Sequence, residues 1–177
     1  MLVWLIFIRY YKFMDQYTKL MTKLTHPNMT VEDKLKEICL TTLKLVKGAD
    51  RVSLWRFCPD KASIESLICF DTTTHSFSFG QILKKEDYLA YFQGILKEEV
   101  INAPQARTHE LTQCFNDSYF IPHDIYSLLD YILHQDFEPY GVICCESIGS
   151  ATQWSEADVG TLKKLARACS MYFKIDS

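Results

Sequence analysis

Two neighbouring segments give the clearest structural signal in this chain: GVICCESIG, residues 141–149, and QWSEADVGTLKKLARACSMYF, residues 153–173. The first segment holds a compact apolar run between two glycines, which predicts a buried strand. In the second segment Ser155 and Asp158 form a capping-box pattern, with Asp in the place of the usual Glu. Apolar residues then recur every three or four positions. The two segments together predict a strand, a short turn and an amphipathic helix.

Upstream, the same reasoning predicts further helices and strands around an irregular region, residues 103–123. Thr30 and Asp33 form a second capping pattern, and Gly48 is the expected C-terminal cap of that helix. The predicted helices are residues 30–47, 86–98 and 156–174. The predicted strands are residues 51–58, 63–71, 76–82, 100–101, 127–134 and 140–148. Short turns join the strands into hairpins, so this order favours an antiparallel sheet with helices on its faces, which is the α+β class.

Composition fits one compact domain. A chain of 177 residues with 48% hydrophobic and 14% aromatic residues can build a substantial core. The formal net charge of −3 gives no electrostatic footprint for nucleic acid. We therefore expect no nucleic-acid partner.

The seven cysteines are interpreted as reduced packing residues of a cytoplasmic protein, because their number is odd and no C-x-x-C pair occurs. Cys144 and Cys145 are adjacent on a predicted strand, so their side chains should point to opposite faces. Cys114 lies in a predicted loop near charged residues. It is the candidate for a redox-sensing thiol.

The N-terminal segment is wholly apolar over residues 1–8, and Arg9 then interrupts it. Eight residues are too few to span a membrane, and a signal peptide would need a basic start and a cleavage site. Three interpretations remain: a translated extension before a start at Met14, a helix that packs on the domain or a partner, and an interfacial anchor. We favour the first two. Residues 1–29 are accordingly assigned as an apolar extension and linker, and residues 30–177 as the domain.

Several short motifs, in order along the chain, resemble those of GAF domains, the small sensory modules of bacterial signalling proteins. YLAYF (88–92) is similar to the family's Y-P-A-Y-F, QART (105–108) to D-A-R-T, and IYSLLD (125–130) to G-I-x-S-M-L-D. The strand, turn and Trp-led helix at the end of the chain complete the resemblance. Departures from the family pattern occur at four positions. They are Leu89 for proline, Gln105 for aspartate, Asp124 for glycine and Ser147 for a frequent histidine.

The resemblance implies a mainly antiparallel sheet of about six strands, with terminal helices on one face and a ligand pocket on the other. It also implies a stand-alone sensory or regulatory domain that binds a small molecule and signals through a partner chain. The apolar stripes of helices 30–47 and 156–174 would suit a homodimer, and covering the domain's own sheet would explain them equally well. Aromatic walls with one guanidinium and one carboxylate would suit a flat, polar or anionic ligand. The expected ligand-binding residues are Trp55, Tyr88, Tyr91, Arg107, Tyr119 and Asp130. For the aromatic residues, ordinary core packing is the alternative.

Motifs for catalysis are missing from the sequence. It has no nucleophile elbow, phosphate loop, zinc-protease helix or dinucleotide fingerprint, so we expect no enzyme, no metal and no covalent chromophore. Two alternatives remain open. One is a redox enzyme resembling methionine sulfoxide reductases of the GAF type, with Cys114 acting together with Cys144 or Cys145. The other is a pocketless dimerisation or interaction module.

Overall fold

The computed structural model describes residues 2–172, although for residues 2–10, 12, 13 and 172 it describes the backbone alone. The helices are α1 (Leu2–Leu24), α2 (Val31–Leu45), α3 (Leu89–Glu98) and α4 (Glu156–Tyr172). The strands are β1 (Arg51–Phe57), β2 (Ser63–Asp71), β3 (Ser76–Ser78), β4 (Ile82–Lys84), β5 (Val100–Ala103), β6 (Ile125–Gln135) and β7 (Glu138–Ile148). Two short helical turns, Gln113–Phe115 and Asn116–Phe120, lie between β5 and β6.

One antiparallel sheet forms the centre of the domain. Its strand order is β3-β2-β1-β7-β6-β5, and β4 pairs with the N-terminal end of β2. The long hairpin β6–β7 occupies the middle, and most of its residues are buried on both faces. The predicted α+β class, with an antiparallel sheet of about six strands, is confirmed.

Helices α2 and α4 cover one face of the sheet. Cys39 of α2 and Cys169 of α4 lie close to Cys145 of β7, and all three are fully buried. Cys144 points to the opposite face. The predicted alternation of the adjacent cysteines is therefore confirmed, and the two faces of the hairpin have different covers.

Both of these helices begin with the side-chain caps that the sequence predicts. The Asp33 amide donates to Thr30 Oγ1 over 3.1 Å, and the Ser155 amide donates to Asp158 Oδ2 over 3.0 Å. The prediction for Gly48 was wrong, because α2 ends at Leu45 and Val46 is its C-cap. Gly48 has φ +78°, and a Cβ there would lie 2.7 Å from Thr152 Cγ2, so the turn before β1 needs glycine for space and for conformation.

Residues 76–82, predicted as a single strand, are divided between two short strands. Gly80 has φ +76° and bends the chain between them. Both β3 and β4 pair with β2, on either side of Ser66, whose backbone bonds to Gly80 and Gln81. The helix predicted from residue 86 begins later, at Leu89, because residues 85–88 form a turn.

The first helix contributes to the core at its C-terminal end. Leu20 and Leu24 are 1% exposed, and Lys23 pairs with Glu37 of α2 over 2.7 Å. The assignment of residues 1–29 as extension and linker is untested, although these two leucines pack with the domain. Within residues 2–172, no helix is both long and apolar enough to cross a membrane.

Gly141 should be the glycine that the sheet tolerates least. A Cβ there would lie 2.0 Å from the Trp55 carbonyl oxygen on the neighbouring strand, so Gly141→Ala must push β1 and β7 apart. We expect a loss of about 3 kcal/mol or more in the free energy of unfolding, measured by urea denaturation.

Gly160→Ala is the matched control. Nothing lies within 4 Å of the added Cβ, and the position is inside α4, so this variant should gain roughly 0.5–1 kcal/mol. Equal stability of Gly141→Ala and the parent would contradict the close approach of β1 and β7.

Candidate functional site

A cavity of about 30 Å³ lies on the sheet face that points away from α2 and α4, beneath residues 104–124. Five aromatic rings and two carboxyl groups line it. The lining residues are Trp55, Ile64, Leu83, Tyr91, Phe115, Tyr119, Phe120, Leu128, Asp130, Cys144 and Glu146. The volume suits about one or two water molecules, whereas pockets for drug-sized ligands measure roughly 300–1,000 Å³. A larger ligand would therefore need residues 104–124 to move.

Residues 104–124 hold themselves together through local hydrogen bonds. Thr112 Oγ1 donates to the Ala106 carbonyl over 2.6 Å, and Asn116 Nδ2 donates to the Arg107 carbonyl over 2.7 Å. Phe115 stacks on Tyr88 at 4.4 Å between ring centroids. The segment is thus a compact cover with its own internal support, and its first residues are hydrogen-bonded to β6.

Asp130, on β6, is the deepest polar group of the cavity. It is 1% exposed, and Tyr91 Oη donates to its Oδ2 over 2.5 Å. Its other oxygen, Oδ1, has no hydrogen-bond partner. Burial raises the pKa of Asp130 to about 7, although the neighbouring Cys144 thiol and the Tyr91 hydroxyl lower it. The group therefore changes charge near neutral pH.

Glu146, on β7, is the second buried carboxyl group, and it has partners. Tyr119 Oη donates to Glu146 Oε2 over 3.0 Å, and Arg51 Nε lies 3.6 Å from the same oxygen. Burial raises the pKa of Glu146 to about 7, while Arg51 and Tyr119 lower it and Asp130 adds to the increase. Asp130 and Glu146 are diagonal neighbours across the β6–β7 pair, since Asp130 is opposite Cys144. Their titrations are therefore coupled.

Four of the six predicted ligand-binding residues line this cavity: Trp55, Tyr91, Tyr119 and Asp130. Tyr88 is outside the lining, where its hydroxyl bonds to Ser118 Oγ over 3.0 Å. Lining a cavity does not show that a residue binds a ligand, so the assignment stays a prediction for all six residues.

The structure does not bring Arg107 to the cavity. Its Nε donates to the Ile125 carbonyl over 2.7 Å, and its Nη2 pairs with Asp124 over 3.3 Å. The guanidinium also lies 3.9 Å from the centre of the Tyr126 ring. These contacts join the first residues of the cover to its last residue and to the start of β6, and they leave the guanidinium engaged away from Asp130.

Sequence reasoning missed Arg51, Glu146 and Phe115 as residues of this site, and it named Cys144 only as a possible redox partner of Cys114. A signal for Glu146 was present in the sequence. Glu146 is two residues beyond Cys144 on an apolar strand, so period-two alternation places both on one face. A charged residue in such a strand is a candidate for a buried functional group.

The thiols differ from reactive thiols in their electrostatic environment. Burial raises the pKa of Cys114 and raises those of Cys144 and Cys145 further, whereas redox-active cysteines have a lowered pKa. Among residues 2–172, no cluster of three His, Cys, Asp or Glu side chains could hold a metal ion.

Comparison with known proteins identifies relatives of this architecture. The family model described as GAF domain matches residues 34–173. No curated protein sequence matches the chain closely enough to count as a relative.

Solved structures share the fold at low sequence identity. The GAF domain of an Acinetobacter phosphoenolpyruvate-protein phosphotransferase superposes with a TM-score of 0.71 at 16% identity, over 90% of both chains. The GAF domain of a Bacillus halodurans two-component sensor histidine kinase gives 0.63 at 19% identity, over 81% of this chain and 93% of that one. The chromophore-binding domain of a Stigmatella aurantiaca bacteriophytochrome gives 0.70 at 12% identity, and this chain covers 60% of its length. At these identities the likeness shows the fold alone.

Asp130 should make stability depend on pH in the direction opposite to that of a salt-bridged acid. Its pKa rises from 3.8 in the unfolded chain to about 7 in the folded protein, so between these values the folded protein holds a proton that the unfolded chain has released. Its contribution to stability is therefore full below about pH 4 and is lost as the pH rises to about 7. Asp130→Asn should match the parent near pH 4 and exceed its free energy of unfolding at pH 8 by about 2–4 kcal/mol.

Urea denaturation between pH 4 and pH 8 measures this difference, with the exposed Asp117→Asn as the control. A constant difference between Asp130→Asn and the parent across that range would show that Asp130 does not titrate as described.

Arg107→Ala should loosen the cover without unfolding the sheet, because its guanidinium joins the cover to the Ile125 carbonyl. Amide hydrogen exchange in residues 104–124 should accelerate at least about tenfold, while exchange in β1 and β7 stays at the parent rate. The exposed Arg167→Ala is the matched control. Unchanged exchange in residues 104–124 would remove Arg107 from this role.

Proposed function

Because the chain belongs to the GAF domain family, we propose that it is a sensory or regulatory domain of signal transduction, with a small-molecule site in the cavity under residues 104–124. Solved neighbours of the fold come from a sensor histidine kinase, a bacteriophytochrome and a phosphotransferase. Those activities belong to the neighbouring proteins, and they support a sensory role for this chain.

One observation carries the proposal. Asp130 Oδ1 is a buried oxygen without a hydrogen-bond partner, and Asp130 lines a cavity walled by aromatic rings. An unsatisfied buried polar atom costs about 1–3 kcal/mol, and more when it is charged, so a domain that only packs would gain by replacing it. A ligand that donates a hydrogen bond to Asp130 would recover that energy.

In this proposal, ligand binding first moves the cover, residues 104–124. The cavity is too small for a molecule with a ring, so binding must displace residues 104–124. Tyr119 belongs to the cover, and its bond to Glu146 is the polar link that binding would break. Loss of that link changes the environment of Arg51, which pairs with Glu146 at the start of β1. Ligand binding would thus shift the population between a closed and an open cover.

Helices α2 and α4 would carry the change to a partner chain, since they cover the opposite face of the same strands. Their apolar stripes pack on the sheet, with Leu35, Ile38, Leu162 and Leu165 all buried. A homodimer through these helices remains a proposal and would have to use their outer faces. The cysteine content suits a reducing, cytoplasmic setting.

Filling the cavity should separate ligand binding from folding. Cys144→Val adds about one methyl group to the cavity wall and removes the thiol that bonds to Asp130, on a strand position that favours a β-branched residue. The parent, purified from its native host and then denatured, should release a small molecule in stoichiometric amount, detectable by mass spectrometry. The Cys144→Val variant should fold and release much less of it.

Cys58→Val is the control, because Cys58 lies outside the cavity lining, at the turn after β1. Release of the same compound in equal amounts by all three proteins would place the binding site elsewhere. An empty parent that no metabolite mixture stabilises would favour a pocketless interaction domain.

A further inference from the structure

We infer that the ligand of this cavity carries a planar, positively charged N–H donor group of the amidinium type, and that Asp130 binds this group. The inference rests on the ligand-binding function proposed above and names the chemical class of the ligand. The sequence suggested a flat, polar or anionic ligand, and the structure keeps the flat shape but replaces the negative charge with a positive one.

In the cavity wall, the hydrogen-bond donors are bonded to other groups of the protein, whereas one acceptor has no partner. Trp55 Nε1 donates to Ser53 Oγ over 2.8 Å, and the Tyr91 and Tyr119 hydroxyls donate to the two buried carboxyl groups. The Cys144 thiol also bonds to the Asp130 carboxyl group, but Oδ1 itself has no hydrogen-bond partner, and an ionised carboxylate can only accept. The ligand must therefore supply the donor.

The charges around the cavity also favour a cationic ligand. Arg51 lies 3.6 Å from a Glu146 oxygen and 3.7 Å from an Asp71 oxygen, so its positive charge already faces two carboxylates. Although burial lowers it, Tyr119 and Glu146 raise the pKa of Arg51, so this guanidinium remains charged. Among the ion pairs of residues 2–172, none includes Asp130. A cation on the ligand would pair with Asp130, whereas an anion would add to the negative charge.

The aromatic walls favour a flat cation in particular. Tyr91 and Phe115 meet edge to face at 4.9 Å between centroids, and Phe115 meets Tyr119 in the same way at 6.5 Å. Ring faces attract cations, and once residues 104–124 have moved a planar donor can lie between the rings while its N–H groups stay in plane. A planar amidinium can also donate two parallel hydrogen bonds to one carboxylate, which a spherical ammonium does not match.

Three molecules of one shape and different charge test this inference: benzamidinium, benzamide and benzoate. Amide NMR spectra of the full chain at pH 8 would follow each titration. Benzamidinium should bind at least about tenfold more tightly than benzamide, because its hydrogen bonds to Asp130 are charge-assisted on both sides, and benzoate should bind weakest. The largest shifts should occur at Asp130, Cys144 and residues 115–120.

Asp130→Asn and a pH change provide two further readouts. The variant should bind benzamidinium and benzamide within about threefold of each other, while Asp117→Asn should keep the parent preference. Lowering the pH from 8 to 5.5 should weaken benzamidinium binding by about tenfold or more in the parent, because Asp130 becomes protonated below its pKa of about 7. Asp130→Asn should lose this pH dependence.

Tighter binding of benzoate than benzamidinium, or a benzamidinium preference that survives in Asp130→Asn, would overturn the inferred ligand class. Failure of all three probes to bind would overturn it as well. The comparison of released compounds in the parent and Cys144→Val decides the proposed function separately, since it assumes no ligand charge.

Discussion

Burial of the β6–β7 hairpin on both faces is the constraint on which the rest of this structure depends. Each strand has eleven residues, and seven consecutive residues of each are buried. A strand buried on both faces needs two covers. Helices α2 and α4 supply the first cover with close apolar packing. Residues 104–124 supply the second with an irregular chain, held by Arg107 and by its own hydrogen bonds.

Burial of the two faces of the hairpin has different costs in free energy. The helix side is apolar, and its cysteines act as small core residues. The other side buries Asp130 and Glu146, which a purely structural core would avoid because each charge loses its hydration. Glu146 recovers part of that loss from Arg51 and Tyr119, whereas Asp130 leaves one oxygen without a partner. Local violations of packing rules of this kind are expected where a protein binds something.

Much of the fold could be predicted from the sequence, because local signals agree with the tertiary structure. The caps at Thr30 and Ser155 and the alternation at Cys144 and Cys145 are properties of neighbouring residues. The division of residues 76–82 was missed, because the bend at Gly80 is matched by pairing to a strand elsewhere in the chain.

The site was predicted only in part, because some of its contacts also depend on distant parts of the chain. The resemblance selected Asp130, Tyr91 and Tyr119 of the lining, but the pairing of Arg51 with Glu146 depends on strand register across β1 and β7. Arg107 was expected at the ligand because a loop sequence does not reveal which carbonyls its guanidinium reaches.

The central claim is that Asp130 is an incompletely satisfied carboxyl group inside a ligand cavity. Carbon-13 NMR of the Asp and Glu side-chain carboxyl groups, recorded from pH 3 to pH 9 with Asp130→Asn for assignment, measures this directly. We predict a midpoint for Asp130 near 7 and a second, coupled transition for Glu146 in the same range. A midpoint for Asp130 near 4 would mean that water or a permanent partner solvates it, and the account of this cavity as a binding site would fail.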